Sequence, residues 1–185
     1  LAADPADWGA LPGLGVLAVR TRVRVRPTGP EDEDPWAPGG VSVPAALAAA
    51  ATLRTVQAET TEADTRRALI DRLRARVAAE VPDVVVVGDP ARRLPHVATF
   101  SCLFVDGEAL LTELDRHGFA VGSGSACTSA SLEPSHVLAA MGVLTQGNVR
   151  VALPRGTTPA QVDRFSDVLP GAVARVREAL GSVGL

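Results

Sequence analysis

Hydrophobic and polar positions alternate with two different periods along this chain. Val16–Arg26 sets Val19, Val23 and Val25 against Arg20, Arg22, Arg24 and Arg26, which predicts a strand with one polar face. Gly9, Pro12, Gly13 and Gly15 mark the turn before it, and the four prolines and three glycines of residues 27–40 predict an irregular loop around the acidic run Glu31–Asp34. From Pro44 to about Glu80 the period becomes helical: Leu47, Ala51, Leu53 and Val56 form one stripe, and Leu69, Leu73 and Val77 recur at spacing four. A break at Thr60-Thr61 divides two helices, with Thr61 as the expected N-cap of the second.

Beyond Pro82, short apolar runs alternate with short helices. Strands are predicted at Val84–Val87, His96–Val105, Phe119–Val121 and Asn148–Leu153. Helices are predicted at Gly107–Arg116, stopped by Gly118, at Ser135–Met141, and at Pro159–Leu180 behind an N-cap at Thr158. This order predicts a mixed α/β (α+β) chain in which helices cover one side of a small sheet. Three segments are expected: residues 1–42, helices over 43–80, and a domain over 81–185.

Composition narrows the function classes. Hydrophobic residues make up 46 % of the 185 positions, enough for a core, but aromatics are only 3 %, so that core must be built from Ala, Val and Leu. A net charge of −3 gives no electrostatic reason to expect nucleic acid or an anionic membrane. No run reaches the length of a membrane span, and no basic, apolar leader opens the sequence. The chain starts at Leu1, which reads as part of a longer product. Two cysteines in unlike settings argue against a disulfide framework and point to a reducing cytoplasm. No metal site is expected, because two cysteines and three histidines are scattered without close spacing.

Of the two cysteines, Cys102 sits among Phe100, Leu103 and Phe104 and reads as a packing residue. Cys127 lies in Gly122-Ser123-Gly124-Ser125-Ala126-Cys127-Thr128-Ser129, where small residues leave the sulfur reachable, as a nucleophile or sulfur carrier requires. Arg150, between Val149 and Val151, points away from their face; it is weighed as a carboxylate ligand against a strand arginine paired with an acid. His136 and Ser125 are accessory candidates, with a helix-start residue the simpler reading of His136. His117 reads as a helix-end residue and His96 carries no assigned role. No lysine occurs anywhere, and all 18 basic residues are arginine. An arginine stays protonated and forms no Schiff base.

The stretch from Gly122 to Ser129, with Glu133-Pro134-Ser135-His136-Val137-Leu138, Met141-Gly142 and Asn148-Val149-Arg150-Val151, resembles the C-terminal part of the pyridoxal-phosphate-dependent cysteine desulfurases. Trp8-Gly9 through Val19, Val43-Pro44-Ala45 and Leu94-Pro95-His96 extend the likeness more weakly. The resemblance implies the small C-terminal domain of an aspartate-aminotransferase-type fold, preceded by a remnant of the large cofactor domain, in a homodimer. It implies sulfur taken from cysteine as a persulfide on Cys127, Arg150 on the substrate carboxylate, and delivery to a sulfur-acceptor protein, as in iron–sulfur cluster assembly. It also aligns Asp4-Pro5-Ala6-Asp7 with the family's Ser-Ala-His-Lys, so Asp7 stands at the Schiff-base lysine. Gly40 stands where the family has a phosphate-binding threonine.

Two functions follow as expectations. In the first, Cys127 carries a persulfide formed from cysteine or received from a persulfide donor. In the second, the chain is a non-catalytic dimerisation or scaffold domain without pyridoxal phosphate chemistry.

Overall fold

The computed structural model describes residues 1–27, 34–37, 39–123 and 135–181, which group into two compact units, Leu1–Thr60 and Thr61–Leu185.

The second unit holds an antiparallel sheet of β3 (Val84–Val87), β4 (Val97–Cys102) and β5 (Asn148–Ala152), in that spatial order. Val84 pairs with Cys102 and Val87 with Thr99; on the other side, Val97 pairs with Ala152 and Ser101 with Asn148. Ala98, Phe100, Cys102, Val149 and Val151 share one core with three helices. Leu69, Ile70, Leu73 and Val77 come from α2 (Thr60–Glu80), Leu110 and Leu114 from α3 (Gly107–Arg116), and six side chains from Val162 to Val176 from α5 (Pro159–Ala179). Spacings of three and four put each set on one helix face. With few aromatics available, only Phe100 and the edge-to-face pair Phe119–Phe165, centroids 5.2 Å apart, add rings.

Helix ends match their sequence signals in several places. Thr158 and Gln161 close a capping box on α5, and Asp106 caps α3 through Ala109 N–H at 2.8 Å. Gly118, at φ +79°, ends α3 after His117. The short α4 (His136–Ala140) starts behind Ser135, whose hydroxyl accepts from Leu138 N–H.

The first unit is slighter. A two-residue ladder joins β1 (Ala2–Ala3) to β2 (Val16–Leu17), a single 3-10 turn spans Pro5–Trp8, and α1 covers Val43–Ala58 behind Ser42. The Trp8 indole N–H donates to Ala49 O at 3.0 Å and ties the turn to the helix.

Four expectations are corrected. The strand predicted over Val16–Arg26 is paired only at Val16–Leu17; Val23 N–H closes a turn onto Arg20 O, and Val19, Val23 and Val25 are exposed. Alternation makes a strand only where a partner and a surface to cover exist, and among the described residues of this unit only Ala2–Ala3 pair with it. Phe119–Val121 is not a strand, because Phe119 N–H closes the end of α3 on Leu114 O and draws the segment off the sheet edge until Gly122. The strand expected to Val105 ends at Cys102, where Leu103 N–H turns to Asp83 O and Phe104 adopts φ +57°. Thr61 is inside α2 rather than its cap, since only Glu59 separates the two helices.

At Gly147 the backbone leaves no choice of residue. It sits at φ +58°, and a Cβ there would lie 2.1 Å from Cys102 O, the strand against which β5 must start. Gly147→Ala is therefore expected to destabilise the chain by about 2–3 kcal/mol. A urea unfolding midpoint equal to that of the parent would contradict this packing.

Candidate functional site

Register and alternation on β5 position the central side chain of the site. Val149 and Val151 face the core, so Arg150 between them faces out and is exposed. The outer edge of β5 carries one further pairing: Gly122 N–H donates to Arg150 O at 3.1 Å, and Arg150 N–H donates to Gly122 O at 2.6 Å. The guanidinium lies over this glycine, since a Cβ built on Gly122 would sit 3.7 Å from Arg150 Nη2 and 4.0 Å from Nε. Among the described residues the Arg150 side chain has neither a hydrogen bond nor an ion pair. An unengaged fork of donors is what a carboxylate ligand needs.

The neighbouring residues are held more firmly. Ser123 is buried, with its hydroxyl 3.5 Å from Glu108 Oε1 in the first turn of α3. Gly107 brings that turn against the backbone of Asn148, at 3.6 and 3.7 Å from where its Cβ would be. The Asn148 amide donates to Phe100 O at 3.3 Å and Ser101 Oγ at 3.0 Å, which satisfies a polar group buried at the start of β5. No local pattern announces these roles for Gly107, Glu108 or Asn148, because they depend on long-range contact.

Cys127 and Ser125 lie outside the described residues. His136 is the exposed first residue of α4, and no described contact joins it to Arg150. His117 closes α3 and accepts, through Nε2, from Arg175 Nη2 at 2.8 Å, beside Glu113. The Arg175 guanidinium holds the Glu113 carboxyl below the usual carboxylate range. His96 is depressed by burial, with Arg66 nearby acting in the same direction. Cys102 is fully buried, and burial pushes its thiol up to about 11.

Pyridoxal phosphate, which the resemblance implies, does not fit the residues this chain presents. Imine formation needs an amine, and no lysine is present. The turn at the expected lysine position carries an exposed Asp7.

A three-stranded antiparallel sheet backed by α2, α3 and α5 is a mixed α/β fold that solved NifS-like proteins share. One such NifS-like protein superposes with a TM-score of 0.74 at 22 % identity, covering 94 % of this chain and 46 % of its own. The NifS-like protein of Rickettsia africae superposes at 0.58 with 24 % identity, over 72 % of this chain and 35 % of its own. The sequence narrows the class: the family model of the class-V aminotransferases matches residues 32–165, and the chain belongs to that family. Among curated relatives, a cysteine desulfurase of Trichormus azollae is 43 % identical over 173 residues, which are 89 % of this chain and 43 % of that protein. The cysteine desulfurase NifS of Azotobacter vinelandii is 40 % identical over 174 residues, 89 % of this chain and 42 % of its own. The chain thus spans about two-fifths of the length of these relatives.

The contrast between the cysteines gives a direct check. In Cys127→Ser the remaining thiol, Cys102, is expected to resist an aromatic disulfide reagent at pH 8 while the chain is folded, and to react fully in denaturant. Rapid reaction of the folded variant would contradict the burial of Cys102.

Proposed function

We propose that this chain carries sulfur: Cys127 takes up a sulfur atom as a persulfide and passes it to an acceptor thiol, while Arg150 grips the carboxylate of the donor. The observation that carries the reading is the two-way backbone bond between Gly122 and Arg150. It ties the segment leading to Cys127 to the strand that presents a guanidinium unengaged among the described residues. Five Cα–Cα steps separate Gly122 from Cys127, a span of at most about 18 Å. The names of the curated relatives support sulfur from cysteine as the source.

The step itself needs only a thiolate and access. The Cys127 thiolate attacks the outer sulfur of a donor persulfide, R–S–SH; the new bond joins that sulfur to Cys127, the donor S–S bond breaks, and R–S⁻ leaves. An acceptor thiolate repeats the attack on the outer sulfur and releases Cys127. Sulfur moves between thiols with no net oxidation. Arg150 contributes binding and orientation, because a guanidinium fork fixes a carboxylate in one plane. A sulfur-acceptor protein, a homodimer, a cytoplasmic setting and a role supplying iron–sulfur cluster assembly belong to the same reading, on the family likeness. No described helix is long and apolar enough to cross a membrane.

The test uses a sulfur-labelled, carboxylate-bearing persulfide. Label is expected on the parent chain and absent from Cys127→Ser. Arg150→Gln should slow labelling by about 10–100-fold, the worth of a charge-assisted hydrogen-bond pair, whereas a methyl-ester donor should label parent and Arg150→Gln alike. An unlabelled parent, or equal label on Cys127→Ser, would favour the non-catalytic scaffold instead.

A further inference from the structure

The 3-10 turn Pro5–Trp8 stands where the family's cofactor lysine is expected, and it is folded rather than frayed. Asp4 caps it: Asp4 Oδ1 accepts from Ala6 N–H at 2.9 Å, and Asp4 O accepts from Asp7 N–H at 3.0 Å. Both N–H groups at the start of the turn, the kind of donors that receive a phosphate at a helix start, are thus already taken, one of them by a carboxylate. At the other end Gly9 N–H returns to Ala6 O, Pro5 is buried, and the Trp8 indole is bonded to α1.

Beside the turn runs an open groove of about 570 Å³, lined by Ala2, Ala3, Asp4, Asp7 and the segment Leu14–Leu17. Among the described residues that line it, the charged side chains are the two carboxylates. A phosphate dianion entering here would meet two like charges, no free N–H at the turn and no amine. Loss of the lysine is therefore one part of a wider change: the turn has closed on itself as a structural joint to α1.

We infer that this turn refuses pyridoxal phosphate on two independent grounds, the missing amine and the self-capped acidic start, so that restoring the amine alone does not restore cofactor binding. The inference deepens the sulfur-carrier reading and rests on it in one respect: sulfur then reaches this chain as a preformed persulfide rather than from free cysteine.

The experiment titrates pyridoxal phosphate into the full chain and into Asp7→Lys, follows imine absorbance, dialyses, reduces with borohydride and maps pyridoxyl groups by peptide. Circular dichroism confirms that Asp7→Lys, an exposed position, keeps the parent fold. The parent is expected to show no pyridoxyl group on residues 2–20; any label on the α-amino group is separated by the mapping. Asp7→Lys is expected to react only in proportion to added aldehyde, without saturation and without competition by inorganic phosphate. Saturable, phosphate-competed imine in either protein overturns the inference. Sulfur labelling of Cys127 is read separately. Cofactor binding with normal labelling sinks this inference alone, and absent labelling without cofactor binding sinks the sulfur reading alone.

Discussion

A single pair of backbone hydrogen bonds, Gly122 to Arg150 and back, is the constraint on which the candidate site depends. After α3 the chain has no strand to follow: Phe119 is committed to the helix end and to Phe165, under the guanidinium of Arg164 at 4.6 Å from its ring. Only at Gly122 does the backbone return to β5. There the glycine lets a guanidinium lie across it, and the next residue, Ser123, is buried beside Glu108. The thiol-bearing segment thus departs from a fixed point, and that point is the backbone of the arginine that presents the charge.

The rest of the second unit makes that point rigid, and arginine does much of the work. Arg177 bonds Leu103 O and Pro82 O, Arg74 bonds Val87 O and Gly88 O, Arg66 reaches Leu153 O, and Arg164 reaches His117 O. Each is a helix side chain clamping carbonyls where a strand or helix ends and its own ladder has run out. A planar fork of donors can hold two such acceptors at once, which a lysine ammonium does with less directional fit. A chain without lysine loses little structurally in this unit. In the first unit the same absence meets an acidic turn, where an amine would have had a chemical role.

Much of this was legible from residue pattern. The stripes Leu69, Leu73, Val77 and Leu110, Leu114 became core faces, and Thr158 and Gly118 became the boundaries their residue types announce. Cys102 reads as a packing residue from its neighbours and is sealed, while Cys127 lies outside the described residues. What pattern could not supply was partnership. The Val/Arg alternation of Val16–Arg26 is a genuine two-residue period, yet a strand requires a second backbone, and only two residues find one. Phe119–Val121 has strand composition, but the helix-ending bond of Phe119 outcompetes it. Gly107, Glu108, Ser123 and Asn148 meet across long stretches of sequence, so no local signal could bring them together.

The most direct measurement of the central claim is the intact mass and peptide map of the chain after exposure to a persulfide donor, with the product trapped by alkylation. The account predicts one added sulfur atom, on the peptide containing Cys127, with Cys102 unchanged. A chain that gains no sulfur, or gains it on Cys102, would contradict it.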